Sequence, residues 1–307
     1  MHKYNYEKFL SEIKNLNCTA TKNEPMKKHT TIKIGGNADV FLYVNDETSL
    51  IQILKSLNNE KLPFYIWGNG SNLLVSDKGI SGVIIKLDGD FKKISANFKQ
   101  QIVCGSGVSV TKLCLYAYKH SLTGLEFLYG IPGTIGGAVY MNAGAHKGEI
   151  KDALINCTHI TSLGEKITLQ KKDLDFSYRH SFYSNKNHII TQATFKLSEK
   201  EKTFIQNTMD KLMQHRKETQ PLNYPNAGSI FKRPTGNFAG ALIEKSGLKG
   251  KTVGGAKVSE KHCGFIINEN NASCKDVLDL MELIKEEVYK KTGVLLENEI
   301  EVIESQS

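Results

Sequence analysis

The segment PFYIWGNGSNLLVSDKGISGVIIKL, residues 63–87, decides the fold. The run PFYIW predicts a strand, because aromatic and β-branched residues are typical of strands. GNGSN at residues 68–72 follows at once, and its glycines predict a loop whose N–H groups point into one concavity, a shape that suits a phosphate. DKGISGVIIKL then predicts a turn and another strand. In the dinucleotide-binding fingerprint the glycine loop opens a helix, so this order argues against a Rossmann domain.

A second glycine-rich segment, GIPGTIGGAVYMNAG at residues 130–144, has five glycines in fifteen residues. We expect residues 134–141 to form a short helix, whose N-terminus adds a partial positive charge to the site. One glycine cluster alone is explained equally well by turns or tight packing. Two clusters in one domain, each next to a strand, favour a site for the phosphates of a nucleotide.

The composition narrows the class of protein. The chain has 307 residues, 40% of them apolar and 23% charged, which is typical of a folded protein with two domains or three small ones. The N-terminus mixes charges with its apolar residues and no later stretch is apolar enough to span a bilayer, so we expect a cytoplasmic protein without a membrane partner. The lysines behind the net charge of +8 are spread along the chain and not interleaved with aromatic residues, so no nucleic-acid partner is expected. The six cysteines form no CxxC pair, and we expect reduced thiols and no metal site.

Patterns along the rest of the chain predict an α+β protein with much strand. The segment QPLNYPNAG, at residues 220–228, indicates a loop and a domain boundary. Helices are predicted near residues 4–16, 45–58, 110–120, 202–217, 239–246 and 275–291, and strands near residues 38–44, 101–104, 155–161, 166–169, 189–197, 264–267 and 295–303.

Arginine is rare in this chain: only Arg179, Arg216 and Arg233 occur among the 40 basic residues. Lysine can replace a solvated surface charge, but a fork that grips a carboxylate or a phosphate through two parallel bonds needs a guanidinium. Chemistry is therefore expected beside these three residues, with a simple ion pair as the alternative for each.

Five motifs, in this order, resemble the UDP-N-acetylenolpyruvoylglucosamine reductase family. They cover the chain from about residue 30 to 303 and are TTIKIGG (30–36) with WGNGSNLL (67–74), GIPGTIGGAVYMNAGA (130–145), SYRHS (177–181), PNAGSIFKRP (225–234) and GVLLENEIEVI (293–303). The spacing from Arg179 to Ser229 leaves no room for an extra tyrosine-bearing loop, so the chain is similar to the shorter type of the family.

The resemblance implies an FAD-binding domain of the vanillyl-alcohol-oxidase (PCMH) type at residues 30–200, with subdomains at about 30–90 and 91–200. A lead-in at residues 1–29 precedes it, and a smaller α+β substrate-binding domain follows at residues 201–307. The implied reaction is the NADPH-dependent reduction of the enolpyruvyl ether on UDP-N-acetylglucosamine to UDP-N-acetylmuramate, in peptidoglycan precursor synthesis. FAD is bound non-covalently, accepts hydride from NADPH and passes it to the terminal methylene carbon of the substrate, and a monomer is expected.

The two glycine segments supply the residues expected to bind FAD: Gly68, Asn69, Gly70, Ser71, Asn72, Leu73, Gly133, Thr134, Gly136 and Gly137.

Three further residues carry the catalytic expectations. By resemblance, Arg179 binds the enolpyruvyl carboxylate, and Glu299, if protonated, donates a second hydrogen bond to it. Ser229 matches the family's proton donor to the α carbon. Ordinary alternatives are an ion pair of Arg179 with Asp173 or Asp175, a capping role for Ser229, and a solvated acidic face formed by Glu297, Glu299 and Glu301. Spacing does not choose among these glutamates, and only the family motif selects Glu299.

Three residues are expected to bind the substrate: Tyr178, Lys232 and Arg233. Lys232 and Arg233 directly follow the serine loop, at a place that suits the UDP diphosphate. Many family members have asparagine at the position of Arg233, which leaves the contact of this arginine open.

Two alternatives remain at the level of the sequence. A flavin oxidase of the same cofactor fold would use oxygen and often holds FAD covalently through a histidine, and His29 precedes TTIKIGG; the serine and glutamate motifs would then be unexplained. A binding module that retains UDP-sugar binding without turnover is expected to lack the serine or the arginine, and both are present.

Overall fold

The computed structural model describes residues 4–97 and 100–304. Its helices are α1 (Glu7–Glu12), α2 (Glu47–Asn59), α3 (Val110–Lys119), α4 (Ile135–Tyr140), α5 (Ile150–Ala153), α6 (Lys202–Thr219), α7 (Ala239–Lys245) and α8 (Cys274–Thr292). Its strands are β1 (Cys18–Pro25), β2 (Asn37–Val44), β3 (Phe64–Trp67), β4 (Leu73–Val75), β5 (Ile80–Leu87), β6 (Ile94–Asn97), β7 (Gln101–Gly105), β8 (Leu122–Thr123), β9 (Gly144–Ala145), β10 (Gly148–Glu149), β11 (Leu154–Ile160), β12 (Lys166–Gln170), β13 (Ile189–Lys196), β14 (Ser198–Glu199), β15 (Asn226–Ser229), β16 (Thr252–Val253), β17 (Ala256–Val258), β18 (Phe265–Asn268) and β19 (Glu301–Ile303).

The chain forms two compact units, and neither is continuous in sequence. The first unit contains residues 1–22, 40–68 and 82–214, and the second contains residues 23–39, 69–81 and 215–307. The first glycine loop therefore divides between them, with Gly68 in the first unit and residues 69–72 in the second. The domain boundaries expected at residues 30 and 201 stay predictions.

The first unit is built on two sheets. One has the strand order β1-β2-β5-β3, and the other is a five-stranded sheet of order β12-β11-β13-β7-β6. Asp46 caps helix α2, because its carboxylate accepts from the Ser49 N–H at 2.7 Å, and the apolar face of the helix packs into a core that includes Leu50 and Leu54. Helices α3 and α4 contribute to a second core around the five-stranded sheet, in which Phe195 is fully buried.

The order strand, glycine loop, strand that argued against a Rossmann domain is confirmed. No helix follows the loop: β3 ends at Trp67, and β4 begins at Leu73 after the loop. Strands β3 and β5 are parallel, with Phe64 opposite Val83. The expected α+β class is also confirmed.

The second unit contains an antiparallel sheet of order β15-β18-β17-β16 and the long helix α8. The core between them includes Ile266, Val277 and Met281, together with Ile32 and Leu74 from the early segments of the chain. The Asp77 carboxylate caps α8 by accepting from the N–H groups of Cys274 at 2.8 Å and Lys275 at 3.2 Å. These contacts explain why residues 69–81 belong to this unit.

Two predicted elements are shorter than the sequence indicated. The N-terminal helix covers Glu7–Glu12 instead of residues 4–16, because the chain turns after Ile13 toward β1. The last strand covers Glu301–Ile303 instead of residues 295–303, because the backbone of residues 297–300 bonds to Ile230 and Lys232, which follow strand β15, and forms no ladder with that strand. Strand β1 was not predicted, since most of its residues are exposed and polar and carry no apolar alternation.

Candidate functional site

In the first unit, Gly68 and Thr134 lie against each other. A Cβ atom on Gly68 would lie 2.8 Å from the Thr134 hydroxyl oxygen, closer than side-chain carbons come to other atoms. A larger residue at position 68 would therefore displace the Thr134 hydroxyl. Because residue 68 is a glycine, only its backbone lies beside Thr134.

The second segment forms the short helix that the sequence predicted, here Ile135–Tyr140. Thr134 caps it by accepting from the Gly137 N–H at 3.4 Å, and Gly136 packs against Ser106. The hydroxyl of Ser106 is buried and has no hydrogen-bond partner among the residues that the structure describes. Gly133 ends the preceding loop and accepts from the Val110 N–H at 3.0 Å. An orphaned hydroxyl beside a glycine-lined helix N-terminus fits a ligand that carries phosphate.

The rest of the first loop, Asn69 to Asn72, lies in the second unit. Gly70 has a φ of +60°, and a Cβ atom there would lie 2.2 Å from the His29 carbonyl oxygen. Thr31 lies beside the loop, and its N–H donates to the Gly70 carbonyl at 3.2 Å. Gly70 is therefore fixed both by its left-handed backbone and by its close approach to the chain at His29. Ser71 lies in the same turn, and Leu73 begins β4.

Ser229 ends strand β15, at an irregular pairing with β18 that opposes it to Phe265. Asn226 shapes the loop before it: its side-chain oxygen accepts from the Gly228 N–H at 3.0 Å, and its carbonyl accepts from the Thr31 hydroxyl at 2.7 Å. Gly228 has a φ of +78°, and no atom lies within 4 Å of the position that its Cβ would take. The loop thus presents a half-buried Ser229 beside open space.

The Glu299 segment connects the serine strand to the glycine loop through backbone hydrogen bonds. The Glu299 N–H donates to the carbonyl of Ile230, the neighbour of Ser229, at 2.8 Å. The Glu299 carbonyl accepts from the Asn72 side-chain amide at 2.9 Å, and the Glu301 N–H donates to the Asn72 carbonyl at 3.0 Å. Three predicted site segments of the second unit, around Asn72, Ser229 and Glu299, are therefore neighbours.

The three glutamates of this segment differ in their surroundings. The side chain of Glu297 is 77% exposed and pairs with Lys232 at 3.4 Å, as expected for a residue on a solvated acidic face. Burial raises the pKa of Glu301. Glutamates alternate with apolar residues over residues 296–302, but only Glu301–Ile303 form a strand, so strand geometry explains only part of this alternation.

Arg179 lies in the first unit, in a tight two-residue turn. Ser177 and His180 exchange backbone hydrogen bonds at 3.2 Å across Tyr178 and Arg179. The backbone of Arg179 has a φ of +54°, an uncommon value for a residue with a side chain. Its guanidinium lies 5.0 Å from the Tyr178 ring centroid and donates weakly to the Gly144 carbonyl at 3.5 Å.

The remaining predicted substrate residues are exposed or partly exposed. Lys232 is paired with Glu297, and such an exposed pair is weak enough to yield to another anion. The Arg233 guanidinium lies 4.6 Å from the centroid of the exposed Phe238 ring. Tyr178 is 45% exposed, so packing alone does not explain it.

Arg216, the third arginine, is 7% exposed, and burial lowers its pKa. Its Nε atom has no hydrogen-bond partner in the described part of the chain. The rarity of arginine singled this residue out, but no motif assigned it a role. The sequence also gave no signal for Ser106, which precedes the helix of the second glycine segment by a whole helix and loop.

Burial raises the pKa of the Cys104 and Cys157 thiols to about 12. These two buried cysteines therefore offer no thiolate nucleophile near neutral pH. All six are free. Over residues 4–97 and 100–304 no group of three or more histidine, cysteine or acidic side chains is arranged for a metal ion. Within the same residues, none of the helices combines the length and apolar character needed to cross a membrane.

Two family models match the chain. The model of the FAD binding domain matches residues 38–170, and the model of the UDP-N-acetylenolpyruvoylglucosamine reductase C-terminal domain matches residues 220–303. The first match contains both glycine segments, and the second contains Ser229 and Glu299.

Relatives of the chain extend over nearly its whole length. It is 47% identical over 281 residues to UDP-N-acetylenolpyruvoylglucosamine reductase of Caldanaerobacter subterraneus subsp. tengcongensis, covering 92% of each chain. It is 43% identical over 299 residues to the same enzyme of Lachnoclostridium phytofermentans, covering 96% of each chain. Among solved structures, it is similar to UDP-N-acetylenolpyruvylglucosamine reductase from Thermus caldophilus, with a TM-score of 0.79, 36% identity and coverage of 93% of this chain and 98% of that one.

Proposed function

The chain belongs to the UDP-N-acetylenolpyruvoylglucosamine reductase family, and on that premise we propose how its residues divide the work of the reaction. It is an FAD-dependent oxidoreductase of peptidoglycan precursor synthesis. It uses NADPH to reduce the enolpyruvyl ether on UDP-N-acetylglucosamine to UDP-N-acetylmuramate.

The two glycine segments hold the FAD diphosphate. Backbone N–H groups around Gly68, Gly70 and Asn72 and at the start of α4 are suited to phosphate oxygens, because both places expose backbone with little side chain. The orphaned hydroxyl of Ser106 gains a partner when an anionic ligand occupies the site. When bound, FAD supplies the hydride that is taken from NADPH.

Arg179 and Glu299 bind the enolpyruvyl carboxylate. Addition of hydride to the terminal methylene carbon pushes charge onto this carboxylate, so donors placed there stabilise the transition state more than the substrate. A guanidinium on a fixed turn supplies two parallel donors, and Glu299 supplies another if its carboxyl carries a proton.

Ser229 delivers the proton that the α carbon requires. A serine hydroxyl is a weak acid in water. It can nevertheless protonate the α carbon, because this carbon becomes enolate-like and strongly basic when hydride adds to the double bond, and because the proton path is short. The half-buried position of Ser229 beside open space supports this role. The hydrogen bonds that join Ile230, Glu299 and Asn72 are the single observation that carries the proposal, since they make the segments of the serine, the glutamate and the glycine loop neighbours within the second unit.

Tyr178, Lys232 and Arg233 contact the sugar nucleotide. Lys232 and Arg233 carry positive charge on the loop that follows Ser229. When the substrate binds, its diphosphate replaces the Glu297 carboxylate as the partner of Lys232. We further propose that residues 30–200 form the FAD-binding domain and residues 201–307 the substrate-binding domain, and that the enzyme acts as a monomer in the cytoplasm, where NADPH is available.

The test is an anaerobic titration of the purified yellow protein. NADPH bleaches the flavin absorbance, and addition of the enolpyruvyl substrate restores it with formation of one UDP-N-acetylmuramate per flavin. Bleaching that only oxygen reverses would support an oxidase instead, and binding of the substrate without recolouring would support a binding module.

A further inference from the structure

Arg179 has an uncommon backbone conformation. A φ of +54° is unfavourable for a residue with a Cβ atom. Contacts outside the turn therefore help to hold the backbone that carries the arginine.

Those contacts come from the end of the second glycine segment. The Ser181 hydroxyl, just after the turn, donates to the Tyr140 carbonyl at 2.7 Å, and Ser181 is fully buried. Just before the turn, the Ser177 carbonyl accepts from the side-chain amide of Asn142 at 3.0 Å. Both ends of the turn are thus tied to the C-terminal end of helix α4, one through its last residue, Tyr140, and the other through Asn142 just beyond it.

Asn142 is the centre of this arrangement. It is fully buried, and its amide makes three hydrogen bonds: the nitrogen donates to the Ser177 carbonyl and, at 3.2 Å, to the Glu149 carboxylate, while the oxygen accepts from the Lys151 N–H at 3.1 Å. An amide is the side chain that offers both donors and an acceptor in this geometry, and a flipped amide would set its oxygen against two acceptors. Asn142 also has a φ of +43°, a region that asparagine tolerates better than most residues.

We propose that Asn142 is a positioning residue for the substrate carboxylate, and that it acts through Arg179. The inference rests on the proposed role of Arg179. Asn142 holds the Arg179 turn against the C-terminal end of α4, the same helix whose N-terminus faces the proposed phosphate site. One short helix, Ile135–Tyr140, therefore ties the anchoring of the cofactor to the placement of the arginine.

The test uses Asn142→Gly, because glycine accepts the left-handed backbone and lacks the amide that makes the three hydrogen bonds. Asn185→Gly is the matched control: Asn185 has a φ of +62°, is exposed and lies on the connection between β12 and β13 that also carries the Arg179 turn. We expect Asn142→Gly to bind FAD and to be reduced by NADPH within about twofold of the parent, while its flavin recolours with substrate about 10- to 100-fold more slowly, since a misplacement of about 1 Å costs up to that factor. The dissociation constant of the substrate, read from the change in the flavin spectrum without turnover, rises as well. Asn185→Gly leaves all of these unchanged.

A double mutant separates positioning from a general loss of structure. If Asn142 acts through Arg179, Asn142→Gly added to Arg179→Ala slows recolouring no further than Arg179→Ala alone. Multiplicative losses in the double mutant, an equal loss in flavin reduction, or parent-like recolouring by Asn142→Gly would each overturn the proposal. If Arg179→Ala itself recolours at the parent rate, the proposed role of Arg179 fails, and the inference fails with it for that separate reason.

Discussion

Replacement of Gly70 by alanine tests the phosphate loop through a defined steric conflict. A new Cβ would lie 2.2 Å from the His29 carbonyl oxygen and 2.9 Å from the Thr30 Cα, whereas real Cβ atoms essentially never approach within 3.0 Å, so the loop or the His29 backbone must move by about 0.8 Å. The positive φ of 60° adds about 1 kcal/mol for a residue with a side chain. Such a shift misaligns the N–H groups of residues 69–72 with the phosphate.

Loss of one charge-assisted hydrogen bond costs about 1.5–3 kcal/mol, so the affinity for FAD is expected to fall about 10- to 100-fold. The assay is fluorescence titration of apoprotein with FAD, together with thermal unfolding of the apoprotein. Gly236→Ala is the control, because Gly236 also has a positive φ, of 71°, but no atom lies within 4 Å of its Cβ position. That variant pays only the backbone cost and keeps its affinity. Parent-like affinity in Gly70→Ala would refute the assignment of this loop to the phosphates.

Three further outcomes follow from the structure. Arg233→Asn weakens substrate binding, measured by equilibrium titration, with little change in flavin content; an unchanged affinity would remove Arg233 from the diphosphate site. Unfolding in denaturant releases all FAD into the filtrate, and flavin that stays with the polypeptide would point to covalent attachment at a residue such as His29. Burial, aided by His188 and Lys186, lowers the pKa of His159 to about 4, below its unfolded value of about 6.5, so the unfolded state binds the extra proton and stability is lost as pH falls from about 6.5 to 4; His159→Gln flattens this decline in thermal unfolding temperature, and an unchanged slope would contradict the assignment.

The parts of the fold that the sequence predicted are those with a strong local pattern. Helix α2 has an aspartate N-cap and an apolar face, and β13 is a nearly continuous run of buried residues, so both were recognised close to their observed bounds. The helix at Ile135–Tyr140 was predicted over residues 134–141 despite its two glycines, and the structure shows Thr134 as its N-cap. Local chemistry was enough in these cases.

Long-range pairing was beyond local patterns. Strand β4 pairs in parallel with β19, more than two hundred residues later, and nothing in LLV or EVI specifies that partner. The same reason explains why residues 69–81 lie in a compact unit with the C-terminal segments. The neighbourhood of Asn72, Ile230 and Glu299 depends on that pairing.

The site was predicted where a motif identified a residue type and was missed where burial decides. Asn142 is part of the quoted glycine segment, yet its role depends on Ser177 and Lys151, which only the folded chain brings to it. The burial of Arg216 and of the Ser106 hydroxyl is likewise a property of packing. The roles of Arg179, Ser229 and Glu299 stay predictions, supported by the geometry around them.

The most direct test of the central claim compares the two half-reactions of Ser229→Ala by anaerobic stopped-flow absorbance. We expect bleaching by NADPH within about twofold of the parent, and recolouring by the enolpyruvyl substrate slower by at least about 100-fold, the usual contribution of a positioned acid. An equal loss in both half-reactions, or recolouring at the parent rate, would contradict the division of labour between the glycine loops that hold the cofactor and the serine that protonates the substrate.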